Sequence, residues 1–487
     1  MDTTPPPDRG GTHVDVLIIG AGLSGIGAAA HLTRTLPRTS YVVLEGRAVS
    51  GGTWDLFRYP GIRSDSDMFT MGYRFKPWLR EETLGSGDLI LEYLRETARE
   101  YDVESHIRYR NRVVRATWDS ATARWTVEAD HDGETVTYTA GFLWACSGYY
   151  DYEKGHEPEF PGREEFTGPV VHPQRWPEDL DWTGRDVVVI GSGATAVTVV
   201  PAMAGDAKHV TMLQRSPTYV MSLPRRDPFV ARARRWLPAT LAQPLIRWKS
   251  ILVQSVFYRL SRRRPELVKR LVRKQNTALL PEGYDVDTHF TPRYDPWDQR
   301  MCFVPDADLF RAVRRGDVEV VTGTIDRLDA DGILLTGGRH LHADLIVSAT
   351  GLRLQPFGVE LVVDGEKVDP ATRMTYRALM LDGVPNFVFT VGYTNASWTL
   401  KVDLVAEFTC RLLAHLAEHG YRKVVPVRDP SVGEVPLMDF QSGYVLRALD
   451  LLPHQGDRDP WRLRQSYLRD RRTIRRAPLE DGVLSFS

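Results

Sequence analysis

Residues 14–36 read VDVLIIGAGLSGIGAAAHLTRTL: a β-branched run, then a glycine turn, then an alanine-rich stretch. The run at 14–19 predicts a buried strand, and 26–36 a helix. Between them Gly20, Gly22 and Gly25 form GxGxxG. The next apolar run, 41–44, ends in Glu45, 25 residues after Gly20. Strand, glycine turn, helix and a strand-terminal acid make up a βαβ unit that binds a dinucleotide, the acid meeting a ribose 2′-hydroxyl.

The pattern recurs. Residues 186–190 (DVVVI) lead into GSGATA, in which Gly191, Gly193, Ala194 and Thr195 make the turn, and the strand at 209–213 ends in Gln214, Arg215 and Ser216. A carboxylate would repel a 2′-phosphate, whereas an Arg fork and a hydroxyl can bind one, so the first unit suits an adenosine ribose and the second NADPH. Between the units, 113–116, 125–129 and 135–139 alternate like antiparallel strands, and 142–147 reads as a buried strand. Later runs at 345–349 and 387–391 look like strands returning to complete each unit. The expected fold is α/β: two Rossmann-like dinucleotide-binding domains, both discontinuous, with a helical insertion. The expected boundaries are 1–149 with 384–487, 150–223 with 331–383, and the insertion at 224–330.

The 487 residues, 42% hydrophobic, suffice for two or three domains. The net charge of −1 gives no overall sign bias and argues against nucleic acid as partner. Residues 225–274 are the exception, with 15 Lys or Arg against Asp227 and Glu266, interleaved with Trp and Leu. Two readings follow: attachment to an anionic membrane surface, or helices whose basic faces are solvated or packed on acidic neighbours. Cys146, Cys302 and Cys410 are far apart and lack CxxC spacing, which argues against a disulfide framework, a zinc knuckle or a dithiol redox pair. No metal site is expected. The first dozen residues, rich in Pro and Gly, read as a frayed arm, and without a leader pattern or membrane span the expected location is cytoplasmic.

Two further motifs carry the chemistry. Gly51, Gly52, Thr53 and Trp54 precede Tyr59-Pro60-Gly61 and Asp65, offering close backbone approach and flat aromatic surface to a flavin. Residues 166–177 (FTGPVVHPQRWP) fit FxGxxxHxxxWP, with Phe166, Gly168, His172 and Trp176 at its fixed positions. On these motifs, flanked by the two glycine turns, the chain resembles the Baeyer–Villiger flavoprotein monooxygenases, and the likeness extends over nearly the whole length.

The resemblance implies FAD and NADPH as cofactors, and O2 with a small ketone or sulfur compound as substrates. The implied reaction inserts oxygen beside a ketone carbonyl through a C4a-peroxyflavin, giving an ester or lactone, with S-oxygenation of sulfides or thioamides in addition. It also implies that His172 serves the link between the nucleotide domains, and that Arg300, in DPWDQR, is the active-site arginine with Asp65 orienting it. A permanent cation stabilises an anionic oxidant and a tetrahedral adduct. Where many relatives carry lysine before this arginine the chain has Gln299, so the 2′-phosphate rests on Arg215 and Ser216. Asn395, Ser397 and Trp398 precede a helix expected at 400–415, whose N-terminus would face the flavin. The nearest rival is an N- or S-oxygenating flavin monooxygenase; a non-catalytic flavin protein held on membranes by the basic insertion is another.

Overall fold

The computed structural model describes residues 13–438 and 442–487; the expected frayed arm lies outside them. The first unit is built on the strand His13–Ile19, which pairs in parallel with Tyr41–Leu44 on one side and with the end of Glu134–Ala145 on the other. Tyr41–Leu44 is buried along its whole length, as a parallel strand covered on both faces must be. Residues 134–145 form one strand rather than the two expected. Its first half pairs antiparallel with Arg124–His131 and its second half runs parallel to His13–Ile19, so the meander leads directly into the nucleotide-binding sheet. Phe387–Phe389 joins on the far side, giving nine strands.

The second unit is a five-stranded parallel sheet in the order Val318–Thr322, His209–Gln214, Asp186–Ile190, Leu345–Ser348 and Val170–Val171. Two connections between the units cross as a small antiparallel pair, Tyr150–Gly155 with Leu352–Leu354. Both units are therefore discontinuous in sequence.

Strand pairing corrects two expected boundaries. Glu360–Val363 pairs in parallel with Arg112–Asp119 and so extends the first sheet, and Met374, Tyr376 and Met380 lie in the core that holds Val16 and Ile18. The return to the first unit thus begins well before residue 384. The insertion also ends before 330, because Cys302–Pro305 pairs with Val220–Leu223 and Val318–Thr322 completes the second sheet. These strands are short, and the glycines beside them mark turns without naming a partner, so only the pairing reveals which sheet each joins.

Within the insertion four helices run Pro228–Trp236, Ala239–Arg263, Pro265–Leu279 and Val286–Phe290. Asp227 caps the first through the Phe229 N–H, and Asp285 caps the last through the Thr288 N–H. Pro265 stops the long helix, since proline lacks the N–H needed to continue it. The insertion is fastened to the first unit by Arg247, which donates to the Gly72 carbonyl at 2.6 Å and pairs with Asp403 at 3.2 Å. Burial alone would raise the Asp403 carboxyl; His31 and Arg247 together hold it below its ordinary value. All three cysteines are free and buried.

Candidate active site

The first glycine turn is held by Glu45. Its Oε2 accepts from the Ala21 N–H at 2.7 Å and its Oε1 from the Arg47 N–H at 2.9 Å, and burial raises its carboxyl. Glu45 does not line the cleft, although each oxygen keeps a further lone pair for a ribose hydroxyl. Beyond the turn the helix Leu23–Thr35 starts without a side-chain cap or an acid in its first turn. Its free N–H groups, beside Gly22, Leu23 and Ser24 on the cleft wall, make a cradle for a pyrophosphate. The donor set therefore fits a dinucleotide. Gly20 and Gly25 stand behind this cradle, and Gly52 packs against Gly22.

The cleft that begins here, of about 260 Å3, runs between the two units. Thr53, Trp54 and Tyr59 line it from the first unit, Ala194 and Thr195 from the second. Thr53 Oγ1 lies 3.2 Å from the Tyr152 hydroxyl, and burial pushes both Tyr59 and Tyr152 up to about 12. At its inner end Arg300 Nη2 donates to Asp65 Oδ1 at 2.8 Å. The carboxylate raises the guanidinium well above its ordinary value, more than burial opposes, so the cation is permanent. A third of the Arg300 side chain stays open to the cleft (36%).

Beyond this pair lies a second, more apolar chamber of about 400 Å3, walled by Phe69, Met221, Phe257, Trp297 and Met301. Asp65 and Arg300 line both spaces. The pair therefore stands in the partition between the cleft at the glycine turns and an apolar chamber.

Aromatic groups that the sequence motifs did not single out complete this end. Tyr149 stacks on Trp398 with centroids 5.1 Å apart, its hydroxyl 3.0 Å from that of Tyr150, and the Trp398 Nε1–H donates to Ser24 Oγ at 2.8 Å. Tyr444 reaches Arg300 from the C-terminal region, its hydroxyl raised by burial. Tyr149 and Tyr150 follow Gly148 at the end of a buried strand, and that position was the available signal. Nothing local marks Tyr444. The helix after Trp398 spans Thr399–His419; Ser397 is buried against Thr70, and Asn395 is held by the Gln465 carbonyl.

The remaining motif residues lie elsewhere. Gly191 and Gly193 form the second turn, where Ser192 Oγ donates to the Ser216 carbonyl at 3.1 Å. Arg215 and Ser216 are exposed at the end of His209–Gln214, outside the cleft wall, and Arg215 has no ion pair among the described residues. Phe166 is buried in the second unit with Val188 and Leu213, Gly168 packs against the Asp344 carbonyl, and Trp176 meets Trp182 edge to face.

His172 sits on the crossing connections. Its Nε2 donates to the Gly351 carbonyl at 3.1 Å, its Nδ1 accepts from the Gln174 N–H at 3.2 Å, and its ring fills the space a side chain at Gly155 would need. Burial lowers its pKa, and neither ring nitrogen faces the cleft wall. A histidine whose folded pKa is depressed contributes stability that is present above its unfolded value of about 6.5 and lost as pH falls through the folded value. Thermal unfolding between about pH 5 and 7.5 should show a steeper acid loss for the native chain than for His172→Gln, which cannot titrate. Parallel curves would show that the contacts of His172 with Gly351 and Gln174 do not depend on its neutral ring.

Residues 83–263 match the family model described as flavin-binding monooxygenase-like, and residues 18–78 match one for an NAD(P)-binding Rossmann-like domain. The chain is 54% identical, over 98% of both chains, to the FAD-containing monooxygenase EthA of Mycobacterium tuberculosis. The chain belongs to the flavin-binding monooxygenases. It is 46% identical to the probable FAD-binding monooxygenase AlmA of Acinetobacter baylyi, over 97% of this chain and 96% of that one. Among solved structures of such monooxygenases, oxidized steroid monooxygenase bound to NADP superposes with a TM-score of 0.71 at 26% identity, covering 85% of this chain and 88% of that one. Like its relatives, this flavin monooxygenase is a two-domain α/β oxidoreductase.

Proposed function

We propose that the protein is a Baeyer–Villiger monooxygenase in which ketone, O2, NADPH and a proton give ester or lactone, NADP⁺ and water, and that it also S-oxygenates sulfides or thioamides. The observation that carries this reading is the Asp65–Arg300 pair in the partition between the cleft and the apolar chamber. FAD, reduced by NADPH, would supply the activated oxygen. In this reading Gly20, Gly22, Gly25 and Glu45 hold the adenosine and pyrophosphate end of FAD, while Gly52, Thr53, Trp54, Tyr59 and Asp65 lie along the flavin. Gly191, Gly193, Ala194 and Thr195 receive the NADPH pyrophosphate, with Arg215 and Ser216 on its 2′-phosphate.

Arg300 is the catalytic cation: it faces the carbonyl oxygen as negative charge develops there, and Asp65 fixes its orientation. Tyr149 and Trp398 shut water from that end of the cleft, which strengthens the cation's field. Phe166, Gly168, His172 and Trp176 serve the link between the units. Peripheral contact with a membrane surface through residues 225–274 belongs to the same reading. It is supported by exposed basic and apolar residues there; no helix among the described residues is long and apolar enough to cross a bilayer.

Aerobic NADPH oxidation should rise on adding phenylacetone or a thioamide and yield the oxygenated product, identified by mass spectrometry. Hydrogen peroxide as sole product with both would contradict the reading. Arg215→Ala should raise KM for NADPH about 10- to 100-fold, the worth of a charge-assisted hydrogen bond, with little change for NADH. Equal effects on both cofactors would place the 2′-phosphate elsewhere.

A further inference from the structure

Among the described residues 15 large apolar side chains are exposed, and eight of them lie between Trp236 and Leu271. Along the helix Ala239–Arg263, Leu241, Leu245, Leu252 and Val256 recur at intervals of four, seven and four, which at 100° per residue confines them to one narrow arc. Arg259 and Arg263 continue the same arc. On the next helix Leu267 and Leu271 are flanked by Arg270 and Lys274. Lys249 and Lys269 are neutralised by protein carboxylates, and so is Arg247. Arg259, Arg263, Arg264, Arg270 and Lys274, on the exposed side, have no ion pair among the described residues. A soluble surface does not gather aliphatic side chains and unpaired cations in this way without a partner.

The chamber beyond Arg300 opens on this face. Of the residues lining it only Pro224 and Val253 are exposed, and Val253 sits beside Leu252 and Val256 of the apolar arc.

We propose that the helices 239–263 and 265–279 dock on an anionic lipid bilayer, and that the chamber takes its substrate from the lipid through the mouth at Pro224 and Val253. The loading route rests on the chamber being the site of oxygenation proposed above. The substrate class is then an apolar ketone or thioether that partitions into bilayers. A bilayer is the occupant because its anionic headgroups meet the five unpaired cations while its acyl region receives the Leu and Val arc. A second copy packed face to face would set those cations against their own kind.

The test uses the flavin-loaded full chain and the double variant Leu252→Glu/Val256→Glu, neither position lining the chamber. Vesicles of phosphatidylglycerol and phosphatidylcholine are compared with phosphatidylcholine alone, at low and high salt, with 2-tridecanone carried in the vesicles and phenylacetone in water. The native chain should pellet with the anionic vesicles and be released by salt. The double variant should lose that binding about 10-fold and oxygenate 2-tridecanone from vesicles about 10-fold more slowly. Its unchanged turnover of phenylacetone would show that it is folded.

No pelleting of the native chain at low salt overturns the docking. So does pelleting without vesicles that the double variant abolishes, which would assign the face to a second copy. Vesicle binding lost with 2-tridecanone turnover unchanged overturns the loading route. Intact vesicle binding with neither ketone oxygenated overturns the functional reading and the loading route, and leaves the docking supported.

Discussion

Changing Arg300 to Ala should lower ester formation by about 100- to 1000-fold, the range found when one preorganised group facing a developing oxyanion is lost. Anaerobic reduction of bound flavin by NADPH should remain within about threefold of the native rate, because Arg300 is asked to act only after reduction. The asymmetry separates a catalytic cation from a structural one. Asp65 would be left without its partner in either case, so a merely structural loss would slow both steps. Arg300→Lys retains the charge without the planar fork that Asp65 grips and should recover only part of the rate. An N- or S-oxygenating enzyme needs no cation for an electrophilic oxygen transfer, so sulfide oxidation should fall less than ester formation. Ester formation at the native rate in Arg300→Ala would remove Arg300 from the chemistry.

Gly25→Ala should give a colourless, destabilised protein. A Cβ at this position would stand 1.8 Å from the Gly20 carbonyl oxygen, and the obstacle is backbone of the turn itself. Relief requires the first turn of the helix to move away from the strand, which tilts the N–H groups that form the pyrophosphate cradle. Overpacking of this kind costs about 3 kcal/mol, enough to lower the melting temperature by several degrees in a chain of this size. Flavin absorbance per mole of purified protein and thermal unfolding report the two effects. A yellow, fully stable Gly25→Ala protein would show that the turn has more room than the geometry allows.

The nucleotide-binding strands are legible because each is a short apolar run that ends at a glycine turn or in the polar residues set to meet a ribose. Tyr41–Leu44 and Asp186–Ile190 begin and end where the sequence places them. Residues 134–145 read as two strands because alternation changes to continuous burial near Gly141, as the strand exchanges an antiparallel partner for a parallel one. Glu360–Val363 joins the first sheet and not the second unit its sequence position suggests, because four residues of mixed polarity carry no mark of the sheet they join.

In the site the same division holds. Asp65 and Arg300 were nameable from motifs 235 residues apart, and the fold brings them into contact. Tyr444 and the apolar chamber could not be found this way, since that wall is assembled from segments as distant as Phe69, Val253 and Trp297. The sequence suggests Glu45 as a ribose ligand, and its first duty in the fold is to hold the turn at Ala21. The basic composition of residues 225–274 is plain in the sequence, but which cations stay unpaired is set by the fold, where Glu81, Asp227, Asp287, Asp295, Asp298 and Asp403 pair with Arg226, Lys249, Arg273, Lys269, Arg262 and Arg247.

The most direct measurement of the central claim is the fate of molecular oxygen in a single aerobic turnover. The flavin-loaded protein is reduced with NADPH, exposed to 18O-labelled O2 in the presence of phenylacetone, and the product is identified by mass spectrometry. The account predicts benzyl acetate carrying one labelled oxygen, formed in step with NADPH consumed. Unchanged ketone with labelled hydrogen peroxide, while a sulfide in the same assay becomes a labelled sulfoxide, would contradict it and assign the Asp65–Arg300 partition to an enzyme of soft nucleophiles.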